Sequence, residues 1–389
     1  MTPNITLFIS IVTYLLMGGV MYSLGLQSYN LSNRVLNSHA QRPYFNKYFF
    51  FSILFFALMC GLRYRCGADC ESYASGYDNL LAGRPITSYK DREELFFEWI
   101  ARFLAWLGVG RVIYLGVWAF LEIFFFYNAL KTRNFLLPYI GLLLIMGPHF
   151  CSWNNGIRQT IASCIFVLAT VGLIDGKKLW HYFAWIAVAF FFHKSSLLLV
   201  PLVLMKLYNR KPRMYIALAA LFVSVYIGQT GLLDAAFGRA ESVLMLLDYE
   251  EYAENFELTL AADATVTSYG PRRIVLLASF ILIVLFSEKM DSFFKQDKFY
   301  RLSFLFFMVY ACTNELLIGK TSLLTRPFLY FMPFFLISSG YLLCYLKRMN
   351  KNAWYVISLV VLCAFSMLNS LAEFRVPDEV GLYKFIFLK

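Results

Sequence analysis

Charge is what this sequence has least of. Asp, Glu, Lys and Arg make up 15% of its 389 residues, against 60% hydrophobic residues, and the mean hydropathy is +0.60. A soluble domain carries about 25% charged residues, so a soluble globular domain is excluded and a membrane protein is expected. Residues 1–4 contain no Lys or Arg, and no small-x-small site closes the first apolar run, so a cleavable signal peptide is not expected. No Asp-x-Asp or other carboxylate pair suited to Mg²⁺ is read at the outer face. No second Cys or His pair accompanies Cys66 and Cys70 as a zinc site would need. Neither a metal nor another cofactor is therefore expected. No linker, low-complexity tract or internal repeat interrupts the chain, which reads as one membrane domain over residues 1–389.

What is present fits that class. Forty Phe and 26 Tyr suit helices with aromatic belts. A spanning helix needs about 20 apolar residues, with a range of about 17–25. Apolar runs fall near 5–26, 47–63, 111–130, 134–150, 157–174, 179–193, 195–209, 214–230, 272–287, 299–318, 323–346 and 352–371. The expectation is an all-α, polytopic protein with about twelve transmembrane helices. With the N-terminus outside, the loops assigned inside hold eighteen Lys and Arg, and the short outside connections hold only Arg158, Lys194, Lys320 and Arg326. Both termini then face out. The net charge of +11 serves this orientation, and no nucleic-acid partner is expected.

Two long segments remain outside, 64–110 and 231–271. In the first, "EELFFEWIARFLAWLG" (93–108) is amphipathic with aromatics on one side, as expected of an interfacial helix on the outer leaflet. The second is acidic and reads as a solvated loop or lid. Most cysteines fall in apolar runs, where they pack as small hydrophobes. Cys66 and Cys70 lie in a polar loop, "CGADC", where a local disulfide competes with two unlinked thiols.

The residues that least suit lipid gather on one side. "SWNNGIRQTIASCIF" (152–166) puts Arg158 at the mouth of an apolar run; an arginine at mid-bilayer costs about 2.5–3.5 kcal/mol on insertion scales. Under the topology above, Arg63, Arg65, Asp69 and Tyr73 follow the second span, and Asn155, Arg158 and Gln159 open the fifth. His193 closes the sixth, and Arg326 opens the eleventh, with Tyr330 one turn on. Arg63, Arg158 and Arg326 would converge on an outward-facing cavity, where the guanidinium fork matches phosphate oxygens. The competing readings are snorkelling for the arginines, a packing role for His193, and a structural salt bridge from Asp69 to Arg63 or Arg65.

These residues also form an ordered set of motifs. "GLRYRCGADCESY", through Arg63, Gly67, Asp69 and Tyr73, resembles the first motif of the EpsG-like branch of the Wzy-type bacterial polysaccharide polymerases. Glu93 of "REELFF" looks like the acid that family carries ahead of an aromatic amphipathic helix. "NNGIRQTIA" is similar to the second motif, through Asn155, Arg158, Gln159 and Ala162, and "FFHKSSLLLVP" to the third, through His193, Lys194, Ser195 and Pro201. "LLTRPFLYF" resembles a later Arg-x-x-x-Tyr element, through Arg326 and Tyr330. Ala68 stands where the family commonly has Thr, Cys70 where it has Tyr, and Glu94 where Pro often follows the acid.

The resemblance implies a GT-C-like, metal-independent glycosyltransferase at the outer face of the bacterial inner membrane. The donor would be a growing glycan on undecaprenyl diphosphate, and the acceptor a sugar hydroxyl of one repeat unit on a second undecaprenyl diphosphate. A chain-length regulator is a candidate protein partner, beside the membrane lipid itself. Arg158 and Arg326 are expected at the donor diphosphate. Arg63 is expected to help there or to order Asp69. His193, as an imidazole with an ordinary pKa of about 6.5, or Asp69 is expected as general base. Tyr73 is expected to stack on sugar rings, with Asn155, Gln159, Glu93, Arg65 and Tyr330 around the glycan. An O-antigen ligase and a lipid-linked oligosaccharide flippase are the alternatives.

Overall fold

The computed structural model describes residues 3–36, 45–67, 69–84, 94–230, 232, 270–318, 322–374 and 381–388. Those residues are overwhelmingly helical and form no strand; the one β-bridge among them joins Arg63 to Phe385. The all-α class is as expected. Each of the twelve apolar runs lies largely in helical segments, though 134–150 takes in three of them and 323–346 two. Five helices among the described residues are long and apolar enough to cross a membrane on length and composition alone. A sixth is added if the pair Lys131–Met146 and His149–Asn155, bent by 72°, counts as one span. The run at 134–150 is therefore not one straight helix. It breaks at Gly147 and Pro148, and a proline supplies no N–H to continue a helix. The expected span at 195–209 is wound as a 3₁₀-helix, Lys194–Leu207, with Pro201 inside it.

The described residues fall into two compact units, one from Met1–Tyr208 and Ser339–Lys389, the other from Asn209–Ser338. In the first unit α1 (Pro3–Leu36) runs along α6 (Leu137–Met146), and α2 (Lys47–Leu62) runs along α5 (Arg111–Ala129). Helix α8 (Ile157–Ile174) packs between α5 and α9 (Leu179–Phe192). Lipid is as apolar as leucine, so such helices associate through close packing and polar contacts rather than through escape from water. The α1–α6 seam shows how: a Cβ at Gly25 would lie 2.8 Å from the Leu137 carbonyl group, too near for any residue but glycine. Asn46 joins α2 to α1. Its Oδ1 accepts the Tyr48 and Phe49 amides at 3.1 Å, and its Nδ2 donates to Ser28 and Ser32.

The opposite end of this unit carries the unusual residues. There α3 (Cys70–Leu81) and α4 (Leu95–Trp106) follow one another across the outer segment, and α7 (His149–Asn155) leads into α8. Helix α4 is the amphipathic helix expected over 93–108. Phe97, Ala101 and Leu104 are buried, while Trp99, Phe103 and Trp106 are exposed. Residues 381–388 return to the same end. The Tyr383 amide donates to the Ser10 hydroxyl oxygen at 2.9 Å and the Tyr383 hydroxyl donates to the Met59 carbonyl at 2.6 Å, and the Tyr64 amide donates to the Lys384 carbonyl at 2.8 Å.

The second unit holds α10 (Met214–Gln229), α11 (Pro271–Leu285), α12 (Ser287–Phe293), α13 (Lys298–Leu316) and α14 (Ser322–Leu329). The first turns of α15 (Met332–Arg348) also belong to it. Helix α10 packs along α13, and a Cβ at Gly228 would run into the Glu315 carbonyl oxygen. Phe280, Phe307, Tyr310 and Phe335 interlock as its aromatic core. The last long helix, α16 (Asn352–Glu373), packs in the first unit on α6 and α1. The expected loop at 231–271 lies outside the described residues apart from its edges.

Candidate active site

Three segments distant in sequence meet at the end of the first unit that carries α3 and α4. Gly156 breaks the chain between α7 and α8, so Arg158 sits in the first turn of α8 with its side chain 14% exposed. Helix α9 ends at His193, whose backbone is extended (φ −156°, ψ 113°) because the following segment tightens into a 3₁₀-helix. The Tyr182 hydroxyl donates to the Leu199 carbonyl at 2.7 Å and ties that segment back onto α9. Glu94 stands just ahead of α4.

Glu94 joins the other two. Its Oε2 lies 2.7 Å from Arg158 Nη1 and its Oε1 lies 2.6 Å from His193 Nδ1. The Glu94 side chain is 4% exposed. A carboxylate buried this deeply is tolerated only when paired, and here both oxygens are engaged, each from a different helix. The His193 contact is a hydrogen bond, and the Arg158 contact is an ion pair without hydrogen-bond geometry. The carboxylate therefore fixes which imidazole nitrogen faces it and which way the guanidinium turns.

Phe97 forms the wall beside the guanidinium. The Arg158 guanidinium carbon lies 5.5 Å from the centre of its ring, and the ring is stacked on Trp118 at 4.4 Å. Tyr73, in α3, is buried with its ring 5.9 Å from Phe97, and it shares a hydrogen bond with Arg158. Burial pushes the Tyr73 phenol above its ordinary value, and the Arg158 charge works against that rise. Tyr73 is thus a neutral hydrogen-bonding hydroxyl at neutral pH.

The loop ahead of α3 is held by α7. The Asp69 amide donates to Asn155 Oδ1 at 2.6 Å, while the Asp69 side chain is exposed. Gly67 turns the loop at φ +99°, a left-handed conformation that glycine adopts freely. Arg63 is buried at 2% exposure, and it donates to the Cys60 carbonyl at 2.6 Å and to the Asn154 carbonyl at 3.5 Å. Arg65 also has positive φ (50°), and it is exposed with its guanidinium 5.5 Å from the Tyr64 ring. Gln159 is buried in α8.

Of the residues expected from sequence, Tyr73, Arg158 and His193 come together, with Asp69 and Arg63 in the adjoining loop and Asn155 on α7 against it. Arg326 and Tyr330 belong to the second unit, Arg326 exposed on α14 and Tyr330 fully buried just after it. Glu93 lies outside the described residues. The acid that meets Arg158 and His193 is its neighbour, Glu94, which the motif reading passed over, as it did Phe97. The available signals were the acidic pair in "REELFF" and the spacing of Phe97, Ala101 and Leu104 on one helical face. Among the described residues no three His, Cys, Asp or Glu side chains converge as a metal site would require. In the structure no disulfide joins any of the eight cysteines, Cys66 and Cys70 included.

No curated protein sequence and no solved structure matches the chain. The sequence model of the EpsG family matches residues 46–384, a stretch that takes in every motif and all of the contacts above. The chain is a membrane-helix protein belonging to the EpsG family.

Proposed function

We propose that this protein polymerises a polysaccharide at the outer face of a bacterial inner membrane, as a metal-independent glycosyltransferase. It passes a growing glycan from undecaprenyl diphosphate to a sugar hydroxyl of an incoming undecaprenyl-diphosphate-linked repeat unit. Membership of the EpsG family supports a polysaccharide polymerase-type activity. The observation that carries the chemical reading is Glu94 bound on one oxygen by Arg158 and on the other by His193.

In this reading His193 is the general base. The Glu94 carboxylate engages Nδ1 and orients the ring, as the acid of a catalytic triad does. The acceptor hydroxyl gives its proton to Nε2 while its oxygen bonds to the anomeric carbon of the donor sugar. The bond from that carbon to the diphosphate breaks, and the diphosphate leaves with the electron pair. Arg158, fixed by Glu94 and Phe97, stabilises the charge that develops on the leaving group. Diphosphate needs no proton to leave. Tyr73, held neutral, offers its hydroxyl and ring to the sugar beside Arg158. Asp69, exposed at the loop tip, binds the acceptor. Arg63 donates through Nη1 and Nη2 to the Cys60 and Asn154 carbonyls, and its Nε is buried without an acceptor among the described residues. In this reading it orders that loop instead of binding phosphate. Arg326 and Tyr330 enter this reading through their motif alone.

The reading uses twelve crossings with both termini outside. It is supported by apolar runs that lie largely in helical segments, and by the contacts that gather Ser10, Met59, Arg63 and residues 381–388 at one end of the first unit. The exposed Trp99, Phe103 and Trp106 of α4 suit a helix lying in the lipid interface. Deleting the gene in its host tests the function directly. A polymerase predicts surface glycan collapsed to a single repeat unit. Full-length polymer left unattached would mark a ligase, and loss of all surface repeat units a flippase.

A further inference from the structure

Cys66 and Cys151 meet although they come from different segments, the loop after α2 and helix α7. The Tyr14 hydroxyl lies 3.7 Å from Cys66 Sγ and 3.8 Å from Cys151 Sγ, and it also donates to the Gly381 carbonyl at 3.3 Å. Asn369 Nδ2 approaches Cys151 Sγ at 3.8 Å, and the two thiols converge on the one Tyr14 hydroxyl. Cys66 is fully buried and Cys151 is part-exposed. Nothing in the reaction above uses either thiol.

Their position gives the pair a consequence. Helix α7 meets the Arg63–Asp69 loop at three points. Asn154 receives Arg63 at 3.5 Å, Asn155 receives the Asp69 amide at 2.6 Å, and Cys151 meets Cys66 at the Tyr14 hydroxyl. The first two contacts are non-covalent and the Arg63 contact is long. A covalent bond at the third point would hold the register of the other two.

We propose that Cys66 and Cys151 are oxidised to a disulfide that staples the Arg63–Asp69 loop to α7, and that Cys70 takes no part. The proposal rests on the reading that this end of the unit faces the oxidising outer compartment. The oxidant is the disulfide of an exported thiol oxidase. The part-exposed Cys151 thiolate attacks it, forming a mixed disulfide and releasing one oxidase thiolate. The Cys66 thiolate then attacks the Cys151 sulfur and displaces the second. The two protein thiols lose two protons and two electrons, and the oxidase disulfide becomes a dithiol.

The test uses the full-length protein in its host membrane. Cells are quenched in acid, free thiols are blocked with N-ethylmaleimide, and the protein is reduced and alkylated with heavy N-ethylmaleimide before peptide mass spectrometry. Heavy label on Cys66 and Cys151 together is expected, with Cys70 light. Cys151→Ser should return Cys66 to the light form, and Cys70→Ser should leave the pair heavy. Light label on both Cys66 and Cys151, or heavy label on Cys66 paired with Cys70, would overturn the staple. A parallel arm places Arg65→Cys in a Cys66→Ser, Cys151→Ser background and exposes intact cells to a membrane-impermeant maleimide. Labelling there with a light pair sinks the staple alone. No labelling there sinks the outward-facing topology and the staple with it.

Discussion

Among the described residues three buried carboxylates, Asp291, Glu94 and Glu315, have an arginine against them, and the last two are not alike. Glu315, in α13 of the second unit, is fully buried and faces Arg273 of α11 at 2.5 Å, with the neighbouring Asn314 at 3.4 Å. Glu94, in the first unit, is nearly as buried but divides its oxygens between an arginine and a histidine from two further helices. The Glu315 pair ties α13 to α11 within the second unit. The Glu94 array adds an imidazole on the second oxygen, beside a phenol and an aromatic wall. A buried ion pair is weak evidence for anything but its own satisfaction. The histidine on the second oxygen is what separates a site from a strut.

The difference can be broken at either end. Glu94→Gln keeps the shape and removes the charge that orients His193, and His193→Gln removes the base. General-base catalysis contributes typically about 10²–10⁴-fold, so either variant should cut the rate of glycan extension by that order while the protein still inserts in the membrane. Assays of ladder growth in isolated membranes, normalised to protein level, read this directly. Arg158→Lys should come next. Lysine keeps the charge but loses the fork that meets both Glu94 and a phosphate. The loss of a hydrogen bond to a charged group, about 1.5–3 kcal/mol, corresponds to roughly 10- to 100-fold in rate. Ladders of undiminished length from both Arg158→Lys and Arg158→Ala would remove Arg158 from the site. Glu315→Gln should leave activity per folded molecule unchanged. It leaves the Arg273 charge uncompensated, a change that typically costs about 3–5 kcal/mol, and should lower the melting temperature of the purified protein in detergent.

Much of this was legible in the residues, and the gaps have physical causes. Apolar runs locate helices well because a segment in lipid satisfies its backbone only within itself. Runs do not show bends. Gly147 and Pro148 carry no charge, so 134–150 reads as one run although the chain turns by 72° there. Tyr73, Arg158 and His193 were visible as polar residues at helix mouths, a position lipid disfavours. Glu94 was not, because "REELFF" offers adjacent acids, and only the start of α4 decides which of them turns inward. The Cys66 contact was hidden for a related reason. Sequence proximity points to Cys70, and the three-dimensional neighbour, Cys151, lies on a helix whose position depends on the break at 147–148.

The central claim is that Glu94 and His193 act as one device, and a double-mutant cycle tests it most directly. Extension rates are measured for Glu94→Gln, His193→Gln and the double variant in membranes supplied with the native lipid-linked repeat unit. If Glu94 works through the imidazole, the loss in the double variant falls well short of the product of the two single losses, the remainder reflecting the hold of Glu94 on Arg158. If the two losses multiply, the residues act independently and the account is wrong.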